Sequence, residues 1–137
     1  MRIPTFCFVT SSLAALTGMS LGLWMGMRGD FTLVPVHAHL NLLGWVTMAL
    51  YGLYHRGAAR EGDRLTWAQV GCGALGFPLM AGGLAAYLVT TNGAFINIVL
   101  AGAVISLAAM LLFLSIVIRD AAQGAMRADD GQRSYGW

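Results

Sequence analysis

The sequence predicts an all-α membrane protein, a bundle of four transmembrane helices forming one domain over residues 1–137. Three observations predict it. Apolar residues make up 58% of the chain and charged residues only 10%, against roughly a quarter charged in a globule that faces water. Three stretches, 3–27, 31–54 and 65–118, hold no Asp, Glu, Lys or Arg, and each exceeds the ~20 residues that cross the hydrocarbon core of a bilayer. The third of these is 54 residues long, the length of a helical hairpin rather than of one crossing.

The first helix is predicted over about 4–27 and ends at the Arg28-Gly29-Asp30 turn. The second covers about 33–54 and runs into a charged loop from His55 to Arg64. The third covers about 66–89, and Thr90-Thr91-Asn92-Gly93 supplies the turn chemistry that divides the long apolar stretch. The fourth covers about 95–118 and stops at Arg119-Asp120, leaving 121–137 as a flexible, polar cytoplasmic tail. An N-terminal signal peptide is the competing reading of the first segment. Its apolar run is longer than an h-region, and no small-x-small cleavage site follows it.

Orientation comes from the arginines. With four crossings Arg2, Arg56, Arg60, Arg64, Arg119, Arg127 and Arg133 share one side, and Arg28 alone faces the other. The positive-inside rule then makes both termini cytoplasmic, in a multi-pass protein of a bacterial inner (plasma) membrane. A net charge of +2 on dispersed arginines offers no face for nucleic acid. Cys7 and Cys72 lie inside apolar stretches and make neither a disulfide framework nor a zinc set.

Small residues predict close helix packing. Gly18, Gly22 and Gly26 recur every four residues on the first helix, and Gly71, Gly73, Gly76, Gly82 and Gly83 surround Pro78 on the third. Ala101, Gly102, Ala103, Ala108 and Ala109 do the same on the fourth. Lipid gives no hydrophobic drive between helices, so such residues mark contacts. Four short helices carry more of this surface than one bundle consumes, which predicts a homo-oligomer. Pro78 removes one backbone hydrogen bond and is expected to bend its helix.

The chemistry lies in Val36-His37-Ala38-His39-Leu40-Asn41-Leu42-Leu43-Gly44-Trp45. Ionisable residues inside a membrane helix are functional candidates by default. Positions two apart on a regular helix point about 200° from each other, so His37 and His39 serve two sites or two faces, never one chelate. On that geometry Asn41, Trp45 and Met48 follow His37, while Leu43, Val46 and Leu50 follow His39. Asn41, one turn below His37, is placed to fix its ring or to touch a neighbouring helix. Both readings stay open.

Neutral imidazole ligates heme iron, and a flat apolar macrocycle fits between membrane helices. Its propionates need a cation at the polar boundary, and Arg28, in the turn before this helix, is the candidate. Trp24 reads as part of the interfacial aromatic belt. The rival site is Cu(I), because Met25 and Met27 lie at the depth of His37 and His39, with Met19 within two turns, and thioethers with imidazole select it. The third reading is that the histidines lock an assembly and do no chemistry.

The segment resembles the catalytic subunit of the heme-copper oxidases. In the cbb-type branch a His-x-His pair is followed by Leu-Gly-Trp and later Gly-x-x-Tyr. Here His37-Ala38-His39 precedes Leu43-Gly44-Trp45, and then Gly52-Leu53-Tyr54, one residue short of that last spacing. In the nitric oxide reductase branch another helix reads His-x-Asn-Leu-Leu, which is similar to His39-Leu40-Asn41-Leu42-Leu43. The match covers about 20 residues of the chain.

That resemblance implies heme b, with His37 and His39 as iron ligands and Asn41, Arg28 and Trp45 around the cofactor. The family's subunit has twelve helices in three arcs of four, with both motifs on the second helix of an arc. The chain is then a minimal homologue equal to one arc, and three copies restore twelve helices, with heme at their interfaces. A redox partner protein or quinol is implied as electron donor. If the protein is an enzyme, it is an oxidoreductase of the oxidase or reductase type. The family's copper site uses three further histidines that have no counterpart here, so electron transfer or binding of a small gas such as O2 or NO suits the residues better than oxygen reduction.

The remaining polar residues are expected to be structural. His55, ~24 Å along the helix from His39, is expected at the interface within the arginine-rich loop. Glu61 and Asp63 are expected to pair with Arg60 and Arg64 in water. Gln69, Thr47, Ser106 and Ser115 are expected between helices or bonded back to their own.

Overall fold

A computed structural model of the chain describes residues 2–57 and 63–135, with side chains through residue 125. It is all-helical, with no strand among the described residues. Helix α1 spans Ile3–Arg28, with Pro4 in its first turn, where a missing N–H costs nothing. It ends on Gly29 at φ 65°, a left-handed cap that glycine adopts without a Cβ penalty. Next comes a consecutive run of three segments. Helix α2 is Val34–His39, a π-helical segment covers Leu40–Thr47, and α3 is Met48–Gly57. Helix α4 is Arg64–Thr90, a 3-10 turn covers Gly93–Phe95, and α5 is Ile96–Tyr135.

Three helical stretches, Ile3–Arg28, Arg64–Thr90 and Gly93–Ala125, are long and apolar enough to cross a membrane. Their large side chains face outward: Leu16, Leu23, Leu75, Val104, Leu111 and Ile118 are all more than half exposed. In water this surface would be untenable; against lipid it is the expected exterior. The protein is a membrane protein on these grounds.

Glycine decides how the helices meet. Helix α1 packs along the run from α2 to α3, and α5 lies along α4. Where α4 meets α5, a Cβ on Gly102 would collide with the Met80 backbone nitrogen and lie 2.8 Å from the Met80 Cα. A Cβ on Gly76 would meet Ser106 Oγ at 2.5 Å. Gly44 lets the π segment sit between Ala14 of α1 and Phe77 of α4. The central cluster is Ile3, Cys7, Ala14, Met48, Tyr51, Val70 and Phe77. Most of the predicted small-residue surface is thus used inside one chain, while Gly26, Gly71 and Gly82 have open space. Helix α4 continues through Pro78 without a break.

Two expectations about the charged end are corrected. Asp63 does not pair with Arg64. Its carboxylate caps α4, accepting from the Thr66 amide at 2.9 Å and the Thr66 hydroxyl at 2.7 Å, and meets Arg119 at 3.0 Å. Arg60 and Glu61 lie outside the described residues. Nor does the last helix stop at Arg119-Asp120; its backbone is helical to Tyr135. The charges mark the end of the apolar stretch, while Ala121, Ala122 and Gln123 carry no signal against helix.

The Thr66 bonds, then Arg119, hold the Asp63 carboxyl down at about 2. A depressed folded-state value stabilises above the unfolded value of about 3.9 and is lost as pH falls toward 2. Asn is an equally good cap, so Asp63→Asn isolates the charge. We expect it to lower the melting temperature by a few degrees at pH 5, with the gap to wild type closing near pH 2 in a detergent melting series.

Candidate functional site

The two histidines diverge, as helical spacing requires, but their surroundings are unequal. His37 faces α1. Its Nδ1 lies 2.8 Å from the Gly18 carbonyl oxygen, and only an N–H on Nδ1 makes that a hydrogen bond. The missing side chain of Gly22 makes room for the ring, since a Cβ there would be 2.8 Å from His37 Cε1. Asn41 donates from Nδ2 to the His37 carbonyl at 2.8 Å, and the same nitrogen lies 3.4 Å from both ring nitrogens. A Cβ on Gly18 would strike that amide at 2.6 Å. Two of the glycines spaced every four residues on α1 are therefore the seats of His37 and Asn41.

His39 points elsewhere. Its Nδ1 donates to the Pro35 carbonyl at 2.6 Å, one turn back on its own helix. No hydrogen bond reaches its Nε2 among the described residues. With Nδ1 carrying the proton, Nε2 carries the lone pair. Leu42, Val46, Leu50 and Leu53, farther along the same run, are all exposed and apolar.

The regular helix predicted after His39 is instead a π turn from Leu40 to Thr47. Such segments are rare and are frequent at functional sites. Thr47 Oγ1 donates to the Leu42 carbonyl five residues back, at 2.7 Å. The wider turn alters the predicted facing. Met48 is wholly buried in the core, while Trp45 is 45% exposed and does not share the burial of His37 and Asn41. Arg28 lies at the end of α1, one short turn before this segment, with its guanidinium 5.5 Å from the centre of the Trp24 ring. The methionines are not gathered: Met25 is buried, whereas Met19 and Met27 face outward. No group of three or more His, Cys, Asp or Glu side chains able to hold a metal occurs among the described residues.

Seating predicts a graded response to alanine. Gly18→Ala and Gly22→Ala overpack against Asn41 and His37, costing about 1–3 kcal/mol each. Gly26→Ala, with nothing within 4 Å, is expected to be neutral or slightly stabilising. Thermal melts of the three variants in one detergent check the order.

At the other end of the bundle His55 lies in α3 rather than in a loop, and is buried, with Nε2 at 2.9 Å from Gln69 Oε1. The Tyr54 hydroxyl donates to Asp120 at 3.2 Å, and Tyr54, His55 and Phe113 stack edge to face. Gln69 does lie between helices as predicted, and Ser115 bonds back to the Leu111 carbonyl. The signal that Gln69 and His55 meet is absent from either local pattern.

Fold and site together define the class: an all-helical membrane protein with a His-x-His segment at a π turn. Compared with known proteins, the chain matches no family model, no curated protein and no solved structure.

Proposed function

We propose that the chain is a membrane-integral b-type heme protein, similar to one four-helix arc of a heme-copper oxidase subunit. The observation that carries this reading is His39. Its Nδ1–H is fixed on the Pro35 carbonyl, as ligating histidines fix the ring nitrogen that does not bind metal. Its Nε2 is left as a lone pair on an apolar exterior, and a polar group unsatisfied in lipid costs several kcal/mol. An iron centre removes that cost.

The chain's other residues fit the same group. Arg28 stands at the polar edge near the start of the His-x-His run, where it would meet a heme propionate. The outward leucines and valines offer an apolar wall. In this reading 34–57 is a fourth crossing, both termini are cytoplasmic, and the membrane is a bacterial inner membrane. Three copies form the assembly, with heme b at their interfaces. The work is electron transfer, with a redox protein or quinol as donor, or binding of a small gas. A purely structural role is favoured by one observation only, the engagement of His37 with Gly18 and Asn41.

Native mass spectrometry of protein purified from heme-supplied cells tests assembly and cofactor together. We expect three chains plus heme increments. Three chains without heme would reject the cofactor, and a heme-bearing monomer would reject the interface.

A further inference from the structure

We propose that the two histidines divide the work: His39 Nε2 is the one axial nitrogen this segment offers, and His37 is a positioning residue. This rests on the heme reading. It departs from what the family resemblance implies, where both histidines ligate iron.

The two rings differ in what meets their nitrogens. At His37 both are engaged: Nδ1 lies 2.8 Å from the Gly18 carbonyl oxygen, and the Asn41 amide nitrogen lies 3.4 Å from Nε2. An amide N–H there competes for the lone pair that an iron centre would need.

At His39 the one hydrogen bond among the described residues runs from Nδ1 to the Pro35 carbonyl, on its own helix, and none reaches Nε2. The α1 glycines Gly18 and Gly22 are met by Asn41 and His37.

What His37 does is fix the frame. The Gly18 carbonyl holds its ring, and Asn41 closes the same turn by donating to the His37 carbonyl. The first bond ties α1 to the turn before His39, the second ties Asn41, which packs at Gly18, back to that turn, and the π segment begins at the residue after His39. The direction of His39 Nε2 is set by a backbone that His37 and Asn41 clamp. Fixing a ligand's orientation in this way is what outer partners of metal sites do.

A consequence follows for symmetry. A twofold pair brings the same residue of two copies together, whereas a ring of three joins unlike faces. With one nitrogen per copy, each iron in a threefold ring receives one imidazole from this segment.

The test uses full-length variants in detergent, supplied with hemin and followed by absorbance and ferric electron paramagnetic resonance. His39→Gly is expected to lower heme retention about tenfold or more, and added imidazole to restore it. His37→Leu is expected to keep its heme with a shifted ferric signature. His37→Asn, whose Nδ2 amide overlays the histidine Nδ1 and can still donate to the Gly18 carbonyl, is expected to return the wild-type signature. Gly22→Ala, which presses on the ring without removing it, is expected to keep heme and shift the signature, and it serves where His37→Leu does not fold. The division is overturned if His37→Asn loses heme as His39→Gly does, or if imidazole rescues His37→Gly. A wild type that takes up no hemin overturns the heme reading itself, a distinct result.

Discussion

Replacing His39 with alanine is expected to remove nearly all heme absorbance while leaving the helices in place. Both halves follow from where the residue sits. Its ring makes one hydrogen bond, to its own helix, and contributes nothing to the packed core of Ile3, Cys7, Met48, Tyr51, Val70 and Phe77. Helical content by circular dichroism and the melting temperature of the heme-free form should therefore stay within about 0.5 kcal/mol of wild type, as for other surface substitutions. The Soret band of the purified protein, which follows the heme it retains, should fall at least about tenfold. An unchanged Soret band in His39→Ala would show that another residue ligates the iron.

The second large effect is structural. Gly102→Ala places a methyl group onto the Met80 backbone, with the Gly76 carbonyl oxygen of the same helix 2.9 Å away. Flexible side chains give way to such a group, but two helix backbones do not. Helices α4 and α5 must separate along the contact that Gly76 and Gly83 also keep close. We expect a loss at or above the ~1–3 kcal/mol typical of overpacking, read as a fall in melting temperature and in yield of folded protein. Gly71→Ala and Gly82→Ala are the controls. Nothing lies within 4 Å of either, and alanine is the better helix former by about 0.5–1 kcal/mol, so both are expected to melt slightly higher than wild type.

How far such effects were legible in the sequence depends on whether the signal was local. The apolar stretches and the turn residues set both ends of α1 and α4 and the start of α5 within a few positions, because length and hydropathy decide membrane crossing; the end of α5 at Tyr135 lies well past its apolar stretch. The Pro4 and Gly29 boundaries of α1 are likewise local. The pairing of Gly18 with Asn41 and of Gly22 with His37 was not. The glycine spacing and the His–Asn spacing were each visible, but only packing shows that one is the socket for the other.

The π segment was hidden for the same reason. Nothing in Leu40–Thr47 names a π turn; it arises where Gly44 must fit between Ala14 and Phe77 while Met48 enters the core. A regular helix therefore grouped Trp45 with His37 and Asn41, against its observed exposure. At the opposite end the arginines and acids were read as solvated, because sequence neighbours suggested it. Asp63 meets Arg119, 56 positions away, and His55 meets Gln69. Such pairs depend on the end of α3, the start of α4 and the Arg119 region of α5 coming together, a property of the bundle rather than of any segment.

The central claim is that His39 holds heme, and the absorbance spectrum of the wild-type protein as isolated, oxidised and then dithionite-reduced, tests it most directly. The account predicts a Soret band and, in a pyridine extract, the spectrum of heme b at a fixed ratio to chain. A folded, colourless protein from heme-supplied cells, still colourless after hemin is added, would contradict it.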